Sequence, residues 1–232
     1  EVSRYDHLIH SRSVDGFVIV RTLLQDPRVQ LLHDRGVPFV TYGRSQLSFD
    51  HPWVDTDNEM AFFMAAQRQI AFGHQKIALL NGPADYTFAQ LRQQGYLNAL
   101  KQARLKVDDR LIRQGHLSET GGFSMAQELL ALKDRPTALL CATDAMAIGA
   151  MAACRAVGLR VGSDISIMGY GNSDAGRYSN PPLSTIEHRI FENGQHLGQV
   201  LLSVLAGESA QTLHYLEPVI LVPRSSDAPV AH

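Results

Sequence analysis

The feature that most limits what this chain can fold into is an alternation of short, unbroken apolar runs with helix-like stretches. Phe17–Val20, Phe39–Tyr42, Ile77–Leu80, Ala138–Cys141 and Ile165–Met168 are too short for helices. Runs of this kind read as strands buried on both faces of a sheet. The stretches between them carry helical punctuation. Thr56-Asp57-Asn58-Glu59 has capping-box spacing and Gly73 closes the helix that follows, with Met60, Phe63, Met64 and Ile70 expected on its apolar face. A second helix carries Phe88, Leu91, Gly95 and Ala99, and a third runs from near Asp144 to Gly158. A fourth carries Ile190, Gly194, Leu197, Leu201 and Leu205 and ends at Gly207. The expected fold class is therefore α/β, with parallel sheets covered by helices.

Some segments break the alternation. Phe49–Asp55 and Asn180–Ile186 contain prolines, which forbid helix and favour extended chain, and a further return lies near Leu216-Glu217-Pro218, before a last strand at Val219–Val222. Read as three crossovers, these divide the chain into two Rossmann-like parallel-sheet subdomains. The expected division is 1–54 with 188–215, then 55–187 with 216–226, and a tail at 227–232. A chain of 232 residues, 45% hydrophobic, is long enough for each lobe to bury a core.

Composition excludes several classes of function. The formal net charge is −2 and no cluster of Lys and Arg is present, so these residues do not form a nucleic-acid surface, which needs clustered cations to displace counterions. Cys141 and Cys154 stand in apolar surroundings without CxxC or Cys/His spacing, and read as reduced packing residues of a cytoplasmic protein. No apolar run approaches the roughly 20 residues of a membrane helix, and the chain opens with half of an amphipathic helix, Tyr5, Leu8 and Ile9, rather than an export signal. His7 and His10 share a helical face but have no third ligand nearby, so no metal is expected. There is no Gly-x-Ser-x-Gly, phosphate loop or His-Glu-x-x-His, and Gly169-Tyr170-Gly171 is too short for a dinucleotide fingerprint. Neither a catalytic group nor a cofactor is expected.

The stretch Arg135–Ala150 says most about a site. The apolar run Ala138–Cys141 gives way to Thr143-Asp144 and then to an Ala/Met-rich helix. A buried strand here delivers a helix N-terminus to a crevice. In open parallel sheets ligands bind outside the carboxyl ends of the strands, where helix N-termini supply backbone donors. Thr143 and Asp144 are candidate ligand contacts. The competing role is capping of the helix, for which both residue types are favoured, and one residue can do both.

Several pieces occur in an order that carries a resemblance. They are Val14–Ile19, Gly36–Val40, Gly73–Ala78, Arg92–Tyr96, Arg135–Ala150, Gly158–Tyr170 and Pro181–Ile186. Together, from about Glu1 to Arg224, they resemble the effector-binding core of the lactose-repressor/galactose-repressor family of bacterial transcription regulators, which has the type I periplasmic-binding-protein fold. The resemblance implies a helix-turn-helix headpiece upstream that reads a pseudo-palindromic operator as a dimer. Neither that headpiece nor the first strand, helix and second strand of the family's core is in the sequence. The intact protein is expected to extend upstream.

The resemblance also assigns residues. Arg92 matches the arginine that grips effector polar groups, its rigid fork suiting vicinal hydroxyls or a carboxylate; the alternative is a surface helix arginine. Thr143 stands where many members carry Asn, and Asp144 matches the Asp that follows. Gly171 departs from the family's usual Asp, with Asn172 beside it as the candidate replacement. Tyr42 and Arg44 close a strand, on either side of Gly43 where relatives often have Asp; Arg44 either donates to the effector or forms a salt bridge at the lobe edge. Tyr86 and Phe88 occupy cleft-lining positions suited to the apolar face of a sugar or purine, although Phe88 can equally pack the helix core. Leu117 takes a place where relatives often have an aromatic, and His116 beside it reads as a loop histidine. Trp53 is a candidate cleft wall or a packing residue at the hinge, Asp55 a candidate hydroxyl acceptor, and Ile190 an apolar cleft position.

The function so implied is a ligand-responsive repressor of carbohydrate genes. A sugar, bound in the interlobe cleft, would control operator binding in a cytoplasmic homodimer. Leu8, Leu23, Leu24, Leu31 and Leu32 are candidates for apolar contact in that dimer or for ordinary core. The alternative is a periplasmic sugar-binding receptor of an ABC-type transporter, which shares the fold.

Overall fold

Glycine ends the helices of this chain where the sequence places it. Gly73, Gly158 and Gly207 all take positive φ, and in each case the next residue's N–H reaches back to a carbonyl of the last helical turn. The computed structural model describes residues 2–11, 13–209 and 213–230. Glu1, Arg12, residues 210–212 and the last two residues of the expected tail lie outside them.

The chain forms two compact units. Unit 1 comprises Glu1–Asp57, Asp85–Phe88 and Arg189–Pro218, and unit 2 comprises Asn58–Ala84, Ala89–His188 and Val219–His232. The chain therefore changes unit after Asp57, His188 and Pro218, with a short return at Asp85–Phe88.

Unit 1 contains α1 (Val2–His10), β1 (Phe17–Val20), α2 (Pro27–Asp34), β2 (Phe39–Tyr42), β3 (Trp53–Thr56), α8 (Ile190–Leu205) and β9 (His214–Glu217). Its sheet runs β1-β2-β3-β9, with every neighbouring pair parallel. Two segments expected as plain crossings are thus strands. Trp53–Thr56 and His214–Glu217 pair with one another along their length, which satisfies the backbone groups of both. Asp26 caps α2, accepting from the Arg28 N–H, with Pro27 at the first helical position.

β1 corrects one expectation. Its burial alternates, with Ile19 buried and Val18 and Val20 44% and 49% exposed, so the apolar run is not covered on both faces. Among the described residues, β1 stands at one edge of its sheet. The apolar face expected of α8 is also only partly buried. Asn193 and Val200 are its buried residues, Leu197, Leu201 and Val204 pack against the core, and Ile190 is 71% exposed.

Unit 2 contains α3 (Asn58–Ala71), β4 (Ile77–Asn81), α4 (Thr87–Gln102, its first residues belonging to unit 1), β5 (Ile112–Gln114), α5 (Glu119–Leu130), β6 (Ala138–Cys141), α6 (Asp144–Ala156), β7 (Ser166–Tyr170), the short α7 (Asp174–Arg177), β8 (Ser184–His188) and β10 (Val219–Val222). The sheet order is β10-β8-β7-β6-β4-β5, parallel except for β10, which runs antiparallel to β8. Order reverses between β4 and β6, and such a switch point opens a crevice beyond the carboxyl ends of the strands. Here the double-sided burial is complete: every residue of β4, β6 and β7 is buried.

The helices of unit 2 approach closely because small residues face their neighbours. The buried side of α3 is Asn58, Ala61, Phe62, Ala65, Ala66 and Gln69, a heptad-like spacing, while Met60, from the face expected inside, is exposed. Alanines let the helix lie nearer the sheet than a Met/Phe stripe allows. α5 and α6 touch through reciprocal glycines. A Cβ on Gly122 would stand 2.0 Å from the Met146 carbonyl oxygen, and one on Gly149 would stand 1.9 Å from that of Glu119. α5 has weak apolar periodicity and escapes a sequence reading.

The tail expected at residue 227 begins as part of the core. Asp227 is buried, its carboxylate taking hydrogen bonds from Arg68 Nε (2.5 Å), Gln69 Nε2 (3.2 Å) and the Ser184 hydroxyl. The Val230 N–H donates to the Phe72 carbonyl at 2.9 Å. Burying this carboxylate is tolerable because donors surround it.

Candidate functional site

The carboxyl ends of the unit 2 strands gather most of the candidate residues that lie in that unit. Thr143 is the N-cap of α6, its hydroxyl oxygen accepting from the Met146 N–H at 3.2 Å. Asp144, buried, accepts from the Ser173 N–H (2.6 Å) through one oxygen and from the Thr185 hydroxyl (2.7 Å) through the other. The carboxylate thereby ties the loop after β7 to β8. The family's usual Asp position is occupied by Gly171 at φ +132, a conformation that favours glycine. A Cβ there would meet only the Asp144 carboxylate within 4 Å. Asn172, at φ +54, donates through Nδ2 to Glu187 (3.0 Å) and accepts from Arg224 Nη2 (2.5 Å), so its amide bridges two opposite charges.

Arg92 is not a surface residue. It is 6% exposed, donates through Nε to Asn58 Oδ1 (2.8 Å) and through Nη1 to the Ala142 carbonyl (2.5 Å), immediately beyond β6 at the switch point. Its guanidinium lies 3.8 Å from the centroid of the Tyr170 ring and 5.6 Å from that of Phe62. These contacts fix the fork in place. Tyr170 stacks on His188, centroids 4.8 Å apart and planes 13° apart. Burial first, then the Arg92 charge, pushes the His188 imidazole down to about 4, against a weaker pull upward from Asp144. Leu117, just before the α5 cap Ser118, is partly buried and packs against the unit 2 core.

Unit 1 has its own cluster at the ends of β2 and β3. Arg44 Nε donates to Asp55 Oδ2 at 2.8 Å and its guanidinium lies 5.6 Å from the Trp53 ring centroid. The ion pair foreseen as one role of Arg44 is formed. Asp55 also accepts from the Thr56 N–H (2.9 Å), and Trp53 stacks on His214 at 4.7 Å. The Tyr42 hydroxyl meets Thr56 Oγ1 (2.9 Å) and accepts from Asn193 Nδ2 (3.1 Å). Gly43, at φ +108, has the Thr22 hydroxyl 2.4 Å from where a Cβ would stand, which accounts for the missing Asp. Tyr86 and Phe88 stack at 5.2 Å, and Tyr86 forms an isolated bridge to Leu23. Ile190, at the start of α8, is exposed rather than seated in either cluster.

Sequence reasoning missed Asn58, Tyr170 and His188. The signal for Tyr170 and His188 was their place at strand ends, but nothing in sequence tells which strand-end side chains converge. Among the described residues no three His, Cys, Asp or Glu side chains gather as a metal would require, and no helix is long and apolar enough to cross a membrane.

A family model described as a periplasmic binding protein-like domain matches residues 66–226. The chain belongs to this family. Similar curated proteins are HTH-type transcriptional regulators, and the chain spans about two thirds of their length. The HTH-type transcriptional regulator AglR of Rhizobium meliloti is 32% identical over 99% of the chain, which spans 65% of that regulator. A regulatory protein of the LacI family from Chloroflexus aggregans superposes with a TM-score of 0.89 at 37% identity, over 98% of this chain and 82% of that one. A complex of the transcriptional regulator CelR with cellobiose gives a TM-score of 0.92 at 29% identity, over 97% of this chain and 69% of the other. For a periplasmic-binding-protein-like core, ligand contacts at the strand ends of an α/β unit follow from the fold's own geometry.

Proposed function

We propose that this chain is the effector-binding core of a cytoplasmic transcription repressor of carbohydrate genes, responsive to a neutral mono- or oligosaccharide. The candidate effector contacts are Arg92, Asp144, Thr143, Asn172 and Leu117 in unit 2, and Arg44, Tyr42, Trp53, Asp55, Tyr86, Phe88 and Ile190 in unit 1. The single observation that carries the reading is Arg92, buried at the switch point with its guanidinium over Tyr170. Donors of that kind beside an aromatic face and a carboxylate suit a ligand with polar edges and an apolar face. The cellobiose bound by the CelR relative supports a sugar.

The effector acts by population shift. It biases the protein toward one arrangement by no more than its differential affinity for the two states. A helix-turn-helix segment upstream reads operator DNA, and a two-fold operator calls for a homodimer. No catalytic step, metal or cofactor enters this reading. A transporter-coupled receptor shares the fold, but the named relatives are transcription regulators, which favours the repressor.

A thermal-shift screen against glucose, maltose, cellobiose, sugar phosphates, sugar acids and purines tests the proposal, because a ligand that binds only the folded state raises Tm. A neutral saccharide is expected to raise it, and Arg92→Ala is expected to abolish the response. An unchanged response in that variant would remove Arg92 from the site, and a purine or acid as the responding ligand would overturn the sugar assignment.

A further inference from the structure

A groove of about 660 Å³ runs along unit 2 between α4 and the loop that leads into β5. None of the effector candidates lines it. Its floor is apolar: Leu97, Leu105 and Ile112 are half-buried against the core, and Val107 beside them is 39% exposed. Its rim is basic. Lys101, Arg104 and Lys106 are all exposed there, and Asp109 is the one carboxylate among the lining residues.

These three cations differ from others on the same unit. Arg110 is paired with Asp108 (2.7 Å), Arg113 with Glu128 (3.0 Å) and Arg160 with Asp164 (2.8 Å). Lys101, Arg104 and Lys106 form no ion pair among the described residues, and Asp108, next along the chain, is held by Arg110 through both oxygens. Arg104 also occupies a position made for glycine. The helices α3, α6 and α8 each end on a glycine at positive φ, whereas α4 ends on Arg104 at φ +56. The backbone pattern is the same in α4 as in α3: the Leu105 N–H reaches back to the Leu100 carbonyl (2.9 Å), as that of His74 does to Gln69 (3.1 Å). A side chain is therefore kept where its absence would cost least. The helix dipole favours a cation at the end of α4 but explains neither Lys106 beyond it nor the apolar floor.

We infer that this groove is a docking surface for an acidic amphipathic helix of another protein. The apolar floor takes the helix's leucine-like stripe, and the three cations meet carboxylates along its flanks. Strand addition at the neighbouring β5 is disfavoured, because Arg113 Nη1 already donates to the carbonyls of Arg110 (2.7 Å) and Ile112 (3.1 Å). Nucleic acid fits poorly, since three cations neutralise few phosphates and a phosphate backbone leaves the apolar floor uncovered.

The test uses the full chain and two fluorescein-labelled helical peptides of about 18 residues, read by fluorescence anisotropy. One carries leucine on a single helical stripe with glutamate on both flanks, and the other has lysine in place of every glutamate. The wild type is expected to bind the acidic peptide in preference to the basic one, and to lose affinity severalfold between about 50 and 300 mM salt. The double variant Lys101→Glu/Lys106→Glu is expected to weaken Kd at least about tenfold, and Arg104→Gly, which suits its own backbone conformation, by about threefold. In ¹⁵N-labelled wild type, which needs no variant to fold, the Leu97, Leu105 and Val107 amides are expected to move on titration with the acidic peptide. The inference is overturned by a folded wild type that binds neither peptide or both equally, by unchanged affinity in the folded double variant, by shifts confined to other residues, or by displacement of the peptide with a short DNA duplex. Each of those results leaves the effector reading standing.

Discussion

The two units solve the same architectural problem to different degrees. In unit 2 the central strands are buried on both faces, and one continuous cluster runs from Phe62 and Tyr96 through Leu139 and Met151 to Ile186. In unit 1 the core is divided between a cluster around Phe17, Ile19, Leu32 and Phe39 and another around Val40, Val54 and Val200, while Val18 and Val20 remain exposed. Two apolar runs of equal length, Phe17–Val20 and Ala138–Cys141, therefore end in different environments. What a run of four apolar residues specifies is strand formation; how many of its faces are covered depends on its neighbours.

The sharpest way to break the comparison is to fill a close approach in unit 2. Gly122→Val places its side chain against the Met146 backbone, which cannot yield as a flexible side chain would, and is expected to cost more than about 4 kcal/mol, read by chemical denaturation. An equal-sized change at Val18 should do almost nothing. Next in size is a loss of function with a smaller loss of stability. Arg92→Gln removes a buried fork over Tyr170 together with its bonds to Asn58 and the Ala142 carbonyl; on the effector reading proposed above it is expected to weaken saccharide binding by roughly two orders of magnitude, about the cost of losing one or two charge-assisted hydrogen bonds to the ligand.

Acid should then separate the histidines by burial. His188, His51 and His74 are all held below their ordinary value, chiefly by desolvation. The unfolded chain therefore takes up protons before the folded one, and stability is expected to fall as pH drops from about 6.5 toward 4. Melting curves across that window should show a shallower slope in His188→Phe. Smaller again is Thr143→Ala, which removes the α6 cap and is expected to cost about 1 kcal/mol. Smallest is Val18→Thr on the exposed face of β1, expected within about 0.5 kcal/mol of wild type.

The site was legible in the sequence to the extent that chain order alone places residues. Thr143 and Asp144 follow a strand directly and so had to lie at its carboxyl end. Arg92 was named through the resemblance, but its burial was not readable, because the α4 pattern does not distinguish an arginine facing water from one reaching the β6 carboxyl end. His188 was passed over for the same reason: it neighbours Tyr170 only through the β7–β8 register. The α3 face was read only in part: Phe63 and Ile70 pack against the core, but Met60 is exposed, and the alanines that fit against the sheet carry no strong hydropathy signal.

By itself the sequence determined the α/β class, the strand runs, the glycine-terminated helices and the delivery of Thr143-Asp144 to a strand end, because these follow from local conformation and hydrophobic period. The tertiary structure alone decided which faces are buried, that Asp227 belongs to the core, and that Arg92, Tyr170 and His188 form one stack. Those outcomes depend on strand register and on how closely helices approach, and neither is written in any local stretch of the chain.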